Sequence, residues 1–283
     1  MTSIVNYESA YNTAVKFTSS HYENFPVISL FIPPTLRKHI AVIYQFARQA
    51  DDIADEGNFT AAERLEKLEK YEQELTNSLN GKFSNYFWAA LKNTVDSFNL
   101  NPQNLYYLLT AFKMDCTKKR FQDYSELLDY CRYSASPIGR IVLELYGIQN
   151  ENALIFSDSI CTALQLTNFY QDIKRDYAKG RIYLPLDEMK KFNVNEEIFE
   201  LRKININFRL LMEYQINRTY NLFKTGKGIL SYLSGRLKFQ IKWTILGGEK
   251  VLEKIKNMNY DVLNFRPKLN KYNYLYLMIK SLV

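Results

Sequence analysis

The stretch ARQADDIADEG, residues 47–57, places four carboxylates within six positions of a basic chain. They are the side chains of Asp51, Asp52, Asp55 and Glu56. The preceding residues, HIAVIYQFARQA, are apolar at helical spacing, so the acids are predicted to lie on a helix over 35–57. Like charges four residues apart on a helix repel by roughly 0.2–0.5 kcal/mol per pair. Some other interaction is therefore expected to offset the repulsion within this cluster.

The composition favours a packed helical protein. Of the 283 residues, 47% are hydrophobic and 15% are aromatic, which argues against intrinsic disorder. Only 10 glycines and 7 prolines occur, and no two-residue alternation with hairpin turns is present. We therefore expect one all-α domain over residues 1–283, with about the first 15 residues loosely attached.

Local capping signals predict where two helices begin. Thr60 lies three residues before Glu63, and this capping-box pattern predicts a helix starting at residue 61. Asn101 followed by Pro102 predicts another start, because proline is favoured at the first helical position.

Glycines predict where two other helices end. One helix is expected to stop at Gly147 and a longer one near Gly180. Residues from about 195 to 225, and again those after 228, also show helical patterns.

Charge and cysteine usage exclude several classes of function. The net charge of +7 suits nucleic acid, an anionic membrane or a phosphorylated substrate, but the dispersed basic residues argue against nucleic acid. Three cysteines without a CxxC pair, together with two histidines, provide no zinc site. Neither a signal-peptide pattern nor an apolar run near the ~20 residues of a membrane span is evident. We expect a cytoplasmic protein, with peripheral contact at the inner membrane face as a further expectation.

A second acidic pair occurs in QLTNFYQDIKRD, residues 165–176. Asp172 and Asp176 are four residues apart, and Gln165 and Asn168 precede them at steps of three and four. On a helix these four polar side chains share one stripe, beside apolar neighbours.

Each acidic pair offers oxygen ligands one helical turn apart. Oxygen-rich sets suit Mg²⁺, which keeps several waters and shares its ligands with substrate phosphates. Two such helices facing each other across a bundle would hold divalent ions that a diphosphate bridges. A solvated acidic face is the alternative interpretation, and the pattern alone leaves the two about equal.

The residues around both pairs resemble the squalene and phytoene synthase family. YQFARQADDIADE, residues 44–56, and TNFYQDIKRDYAKGRIYLP, residues 167–185, are similar to that family's two acidic motifs. RFQDYSELLDYCRYSASPIGRIVLELYG, residues 120–147, is similar to its middle segment. The resemblance covers roughly residues 20 to 270, and KGRIYLP directly after a D-x-x-x-D is its most specific part.

Within that family the chain is most similar to the hydroxysqualene synthases of bacterial hopanoid pathways. ENFPVISLFIP, residues 23–33, stands where condensing members carry a Ser-rich, Lys-containing start. Gln171 and Arg175 stand where those members usually carry a basic residue and an acid. These departures argue against ordinary condensation of two substrates.

The resemblance implies an isoprenoid-synthase helical bundle with a central apolar cavity. It implies a lyase that ionises presqualene diphosphate, rearranges the cation and captures it with water, giving hydroxysqualene and diphosphate. The alternative is a transferase, a head-to-head squalene, dehydrosqualene or phytoene synthase that joins two prenyl diphosphates. The expected cofactor is Mg²⁺, with more than one ion bound, and no nicotinamide is expected. Functional coupling to other squalene-pathway enzymes is a further expectation.

Two other classes are weighed against this one. A non-catalytic, membrane-associated partner of another synthase would keep the fold without the chemistry, and the intact carboxylates argue against it. A basic nucleic-acid-binding helical protein would bind in a steeply salt-dependent way, and the acidic motifs argue against that class too.

Matching the motifs residue by residue implies a candidate site. The expected metal ligands are Asp51, Asp55, Asn168, Asp172 and Asp176. The expected catalytic residues are Asp51, Asp55, Asp172, Asp176 and Arg48. The expected substrate contacts are Tyr44, Arg48, Gln165, Asn168, Arg181 and Tyr183.

Several of these residues keep a structural alternative. Arg48 is a phosphate donor or the counter-ion of the acids, and Tyr44 is a substrate contact or a core tyrosine. For Arg181 and Tyr183 a structural role is equally credible, and Asp52 is expected to support the metal ligands. Aromatic rings near the motifs are candidates for lining a cation cavity: Phe25, Phe46, Phe169 and Tyr170.

Overall fold

A computed structural model describes residues 7–20 and 32–282. Within these ranges every regular element is a helix, so the prediction of an all-α fold is confirmed. None of these helices is long and apolar enough to cross a bilayer. Nearly all of the 23–33 stretch, with Phe25, lies outside the described residues.

The first helices are α1 (Tyr7–Ser20), α2 (Pro34–Asp55), α3 (Ala61–Leu79), α4 (Tyr86–Phe98) and α5 (Gln103–Thr117). They are followed by α6 (Tyr124–Ser134), α7 (Ser136–Leu145), α8 (Glu151–Ala178), α9 (Leu186–Lys191) and α10 (Glu197–Leu201). The last are α11 (Ile206–Gly226), a 3₁₀ helix (Lys227–Ser231), α12 (Gly235–Asn257) and α13 (Lys271–Leu282).

Contacts divide the chain into two compact units. Unit 1 comprises Met1–Thr117 and Arg140–Gln149, and unit 2 comprises Lys118–Gly139 and Asn150–Val283. The first acidic motif belongs to unit 1 and the second to unit 2. The one-domain organisation and the central apolar cavity stay predictions.

Both predicted helix starts are confirmed. Thr60 Oγ1 accepts a hydrogen bond from the Glu63 backbone N–H at 3.3 Å, and Glu63 Oε2 accepts one from Thr60 N–H at 2.7 Å. Asn101 Oδ1 accepts a hydrogen bond from Gln103 N–H at 3.0 Å. These side chains satisfy backbone donors that have no partner within their own helix.

The predicted helix ends are confirmed, but one long pattern is interrupted. Gly147 and Gly180 adopt the left-handed conformation that closes a helix, with φ of 71° and 74°. The pattern over 195–225 is split, because Arg202 turns left-handed after α10 and Asn205 Oδ1 caps α11 by accepting from Phe208 N–H.

The core of unit 1 forms around α2. Phe46 is fully buried, with its ring centroid 5.4 Å from that of Tyr71 and 6.3 Å from that of Trp88. His39 is also buried and its Nδ1 lies 3.0 Å from Thr94 Oγ1. Burial, with a smaller effect from the charge of Lys38, lowers the pKa of His39 to about 4.

In unit 2, α8 packs against α11 and α12 around a buried polar network. Arg218 pairs with Glu188 at 2.5 Å and donates to Gln215 Oε1 at 2.6 Å. The fully buried Tyr170 donates to the same oxygen at 3.0 Å, so α8, α9 and α11 are joined through one amide.

Close helix packing in unit 2 depends on Gly248. A β-carbon there would lie 2.5 Å from Cζ of Phe223, a fully buried ring, and 3.0 Å from Cδ2 of Leu164. At the neighbouring Gly247 the nearest atom would be 4.0 Å away. The two glycines are adjacent on α12 but differ in the space they leave.

We predict that Gly248→Ala lowers the free energy of unfolding by about 1–3 kcal/mol, because the added methyl overpacks the core. Gly247→Ala is the matched control and should be neutral or stabilising by up to about 1 kcal/mol, because alanine favours helix. Denaturant unfolding of both variants measures the difference. Equal stabilities would contradict the packing described here.

Candidate active site

The first acidic motif lies in the last turn of α2, where one guanidinium pairs with two carboxylates. Arg48 Nη1 donates to Asp51 Oδ2 at 3.0 Å, and Arg48 Nη2 lies 2.7 Å from Asp52 Oδ1. The two aspartate side chains are 40% and 35% exposed, so solvent still reaches them. Arg48 is therefore a counter-ion of these acids, and its phosphate role stays a prediction.

The expectation that Glu56 lies on the same helix is wrong. Helix α2 ends at Asp55, and Glu56 is extended with φ −95° and ψ 158°. Gly57 then turns left-handed, so the predicted repulsion between Asp52 and Glu56 along a helix does not arise. The chain leaves the helix immediately after Asp55, the second predicted metal ligand of this motif.

Arg64, on α3, fastens this helix end. Its guanidinium donates to the carbonyls of Ile53, Glu56, Gly57 and Phe59 at distances of 2.7–3.2 Å. Carbonyls at a helix end lack partners within the helix, and a cation there offsets the negative end of the helix dipole. Arg64 therefore holds the backbone that carries the first acidic motif, a role that sequence reasoning missed.

Tyr44 is half-buried one turn before Arg48. Burial raises the pKa of its hydroxyl, the charge of Arg48 opposes this, and Asp51 and Asp52 add to it. The phenol thus lies within the electrostatic field of the motif. Its role as a substrate contact stays a prediction.

An open groove of about 570 Å³ lies beside Asp52 in unit 1. Its walls include Trp88 and Tyr71, whose ring centroids are 4.9 Å apart. Tyr71 donates to Gln49 Oε1 at 3.1 Å, and burial raises the pKa of the tyrosine. The groove combines carboxylate, amide and aromatic surfaces.

The second motif forms the polar stripe predicted on α8. Asn168 is exposed, and Gln165, Asp172 and Asp176 are partly exposed. The apolar residues between them are buried: Leu166, Phe169 and Ile173. The stripe therefore faces outward from the core of unit 2 along about three helical turns.

Asp172 is paired with Arg266, a residue 94 positions away that sequence reasoning missed. Arg266 Nε donates to Asp172 Oδ1 at 2.5 Å and Nη2 donates to Oδ2 at 2.8 Å, a two-point fork. Arg175 Nε lies 3.6 Å from the same carboxylate. Gln171 donates to the carbonyl of Pro267 at 2.5 Å. Residues 266 and 267 are thus both bonded to α8, at two successive positions of the helix.

The residues after α8 form a tight turn beside Asp176. Arg181 N–H donates to the carbonyl of Asp176 at 2.8 Å, and the Arg181 side chain is buried. Arg120 donates to the carbonyl of Gly180 at 2.6 Å and to both oxygens of Glu196. That pairing raises the pKa of Arg120 and lowers that of Glu196.

Tyr183 lies in a cluster of aromatic rings in unit 2. Its ring stacks on Phe169 with centroids 3.7 Å apart and planes 3° apart. Phe121 and Tyr130 lie 5.6 and 5.9 Å from it. An enclosed cavity of about 10 Å³, room for about one water, is lined by Phe169, Tyr183, Asp176 and others.

Two of the aromatic candidates for a cation cavity are core residues instead. Phe46 and Tyr170 are both fully buried, Phe46 in unit 1 and Tyr170 in unit 2. Phe169 is 7% exposed and joins the Tyr183 cluster. Of the candidates that the structure describes, Phe169 is therefore the one that keeps some exposure.

The donor chemistry of each motif fits Mg²⁺. The first set consists of the carboxylates of Asp51 and Asp55, and the second adds the amide oxygen of Asn168 to the carboxylates of Asp172 and Asp176. Neither includes a nitrogen or sulfur ligand that would favour a transition metal. Among the described residues, no three His, Cys, Asp or Glu side chains already converge on one point.

A model of the squalene/phytoene synthase family matches residues 18–273. The chain belongs to the squalene/phytoene synthase family.

Individual members of the family are similar to this chain over most of its length. A hydroxysqualene synthase of Sinorhizobium fredii is 33% identical over 239 residues, 83% of this chain and 80% of that protein. A hydroxysqualene synthase of Zymomonas mobilis is 35% identical over 209 residues, 73% and 69% of the two chains. The crystal structure of squalene synthase HpnC from Alicyclobacillus acidocaldarius matches with a TM-score of 0.86 and 35% identity, covering 91% of this chain and 97% of that one.

We predict that Arg64→Met lowers the free energy of unfolding of this family member by roughly 1–2 kcal/mol, because several carbonyls lose their donor. The stability of Arg64→Lys should lie between those of the original chain and Arg64→Met, since one ammonium cannot reproduce the planar guanidinium fork. The control is Lys70→Met, which removes an exposed ion pair with Glu66 on the same helix and should change stability by less than about 0.5 kcal/mol. Thermal and urea unfolding measure all three variants. An Arg64→Met variant as stable as the original chain would refute the stabilising role of Arg64 at this helix end.

Proposed function

We propose that the protein is a Mg²⁺-dependent hydroxysqualene synthase that converts presqualene diphosphate and water into hydroxysqualene and diphosphate. The chain belongs to a family that acts on prenyl diphosphates, and relatives named hydroxysqualene synthase are 33–36% identical to it. The observation that carries the proposal is that both acidic motifs keep solvent-accessible carboxylates paired with arginines.

The reaction conserves atoms and needs no redox partner. The carbon–oxygen bond to diphosphate breaks with its electron pair leaving on oxygen, and the resulting cation rearranges. Water then forms a new carbon–oxygen bond and loses a proton to the diphosphate or to solvent. Most of the catalytic demand falls on stabilising the departing diphosphate.

The residues proposed to hold Mg²⁺ are Asp51 and Asp55 in unit 1 and Asn168, Asp172 and Asp176 in unit 2. When bound, Mg²⁺ acts as a Lewis acid that stabilises negative charge on a departing phosphate group. The expectation that the two sets face each other stays a prediction.

The arginines beside the carboxylates supply donors for a diphosphate. The Arg48 side chain is 34% exposed, with Nη1 paired to Asp51 and Nη2 paired to Asp52. Because a guanidinium carries five N–H donors, Arg48 can hold these acids and still donate to a phosphate oxygen. The Arg48 side chain can therefore serve both as counter-ion of the acids and as a phosphate donor, the two roles that the sequence left open.

Aromatic ring faces stabilise the cationic part of the reaction. Phe169 and Tyr183 stack beside the second motif, with Tyr130 and Phe121 around them. A ring face contributes about 0.5–2 kcal/mol to a nearby cation.

A condensing synthase is the second candidate. Phytoene synthases match this chain over 92–93% of its length at 26–29% identity, and the structure with 35% identity is that of a squalene synthase. Such an enzyme joins two prenyl diphosphates, so the two candidates differ in the substrate they accept.

Substrate trials with the purified protein separate the candidates. We expect Mg²⁺-dependent release of diphosphate and formation of hydroxysqualene from presqualene diphosphate, and no turnover of farnesyl or geranylgeranyl diphosphate alone. Mass spectrometry identifies the product, and a phosphate assay after pyrophosphatase measures the release. Turnover of either prenyl diphosphate alone would establish the condensing alternative, and inactivity on all three would refute both.

We predict that Asp51→Ala and Asp172→Ala each lower the rate of diphosphate release at least a hundredfold, because each removes a proposed ligand. The helical circular dichroism should persist, since both side chains are partly exposed. Asp96→Asn, at an exposed ion pair with Lys92 in unit 1, is the control and should keep full activity. Normal rates in either alanine variant would overturn that residue's assignment.

A further inference from the structure

Helix α13 is held on unit 2 by one of its faces. Leu277 and Ser281 are only 3% and 5% exposed, and the ring centroid of Tyr274 lies 6.3 Å from that of Trp243 on α12. At its start, Asn270 and Asn273 exchange side-chain-to-backbone hydrogen bonds at 3.1 and 2.8 Å. These contacts decide which side of α13 faces outward.

The opposite side of α13 carries a second apolar surface, the outer stripe. Its members and their exposed fractions are Tyr272 83%, Leu275 53%, Tyr276 58%, Ile279 55% and Leu282 72%. At about 100° per residue they fall within an arc of about 120°. Single exposed apolar residues are ordinary, but five large ones aligned over three turns form a continuous patch.

The charges around the outer stripe have one sign. On the helical wheel, Lys271 lies at one edge of the stripe and Lys280 at the other, and both are exposed. From Val262 to Leu282 the sequence contains no acidic residue. The stripe is therefore an apolar surface bordered by positive charge.

We propose that the outer stripe docks α13 onto the surface of an anionic lipid bilayer. Helices that lie in a membrane interface carry an apolar face bordered by lysines, whose ammonium groups reach the phosphate layer. Tyrosine favours this depth, because its ring is apolar and its hydroxyl is polar. Polar and charged residues share α13 with the apolar ones, which is the pattern of a helix that lies on a bilayer rather than crossing it.

A second copy of the chain fits the same surface poorly. A two-fold dimer through the outer stripe would place the same patch on both sides of the contact. Lysines would then face lysines, and the stripe offers no carboxylate to neutralise them. An anionic lipid surface supplies both the missing negative charge and the apolar depth.

Vesicle binding tests the proposal without relying on turnover, so its outcome is independent of the proposed function. The full chain is sedimented with phosphatidylcholine vesicles containing or lacking phosphatidylglycerol, at low and high salt. We expect binding to the anionic vesicles, weakened by salt and by the absence of phosphatidylglycerol. Failure to bind anionic vesicles at low salt would overturn the proposal.

Two variants address the apolar and the charged parts separately. Tyr276→Ser with Ile279→Ser should weaken binding at least about tenfold, because two inserted side chains are lost. Lys271→Glu with Lys280→Glu should remove the preference for anionic vesicles. Both variants keep the buried face of α13, and circular dichroism checks that they fold.

Matched controls change the same chemistry elsewhere. Ile155→Ser with Ile206→Ser replaces side chains of 58% and 64% exposure on α8 and α11, and Lys16→Glu with Lys82→Glu makes the same charge change in unit 1. Both controls should bind more strongly than the corresponding stripe variant. Equal binding of control and stripe variant would overturn the proposal, as would a dimer in sedimentation equilibrium that the Tyr276→Ser and Ile279→Ser changes dissociate.

Discussion

Carboxylates one helical turn apart repel each other, and this repulsion has to be offset at both acidic motifs of the chain. At the first motif the offset is local, because Arg48 precedes the acids by one turn and pairs with Asp51 and Asp52. At the second motif it comes from a distant segment, through the fork of Arg266 on Asp172. Accessible acids kept beside guanidinium groups suit the proposed function, in which the site would receive both a metal and a phosphate.

The features that the sequence predicts well are those decided within one or two helical turns. The capping box at Thr60, the stop at Gly180 and the polar stripe through Asn168 and Asp172 each depend on neighbouring residues alone. A short-range rule is enough there, since helix geometry converts spacing directly into position. The two local errors, the helix extended to Glu56 and the unbroken pattern over 195–225, both concern helix ends, where capping geometry decides the boundary.

Contacts between distant segments left no readable pattern. Arg266 meets Asp172 across 94 positions, and the Arg64 clamp is made to backbone carbonyls, which every residue carries. The outer stripe of α13 was equally hidden: the helix is apolar on two sides, so periodicity alone could not show which side is buried. In each case the missing information is tertiary packing.

The chain's two tryptophans divide its fluorescence between the two units. Trp88 is buried in the aromatic core of unit 1, and Trp243 lies half-buried on α12 in unit 2. Replacing either one by phenylalanine leaves a single tryptophan, and its fluorescence reports on its own unit. Because Trp243 is next to Tyr274 of α13, the spectrum of the variant that keeps it would also register events at that helix, while the variant that keeps Trp88 serves as the reference.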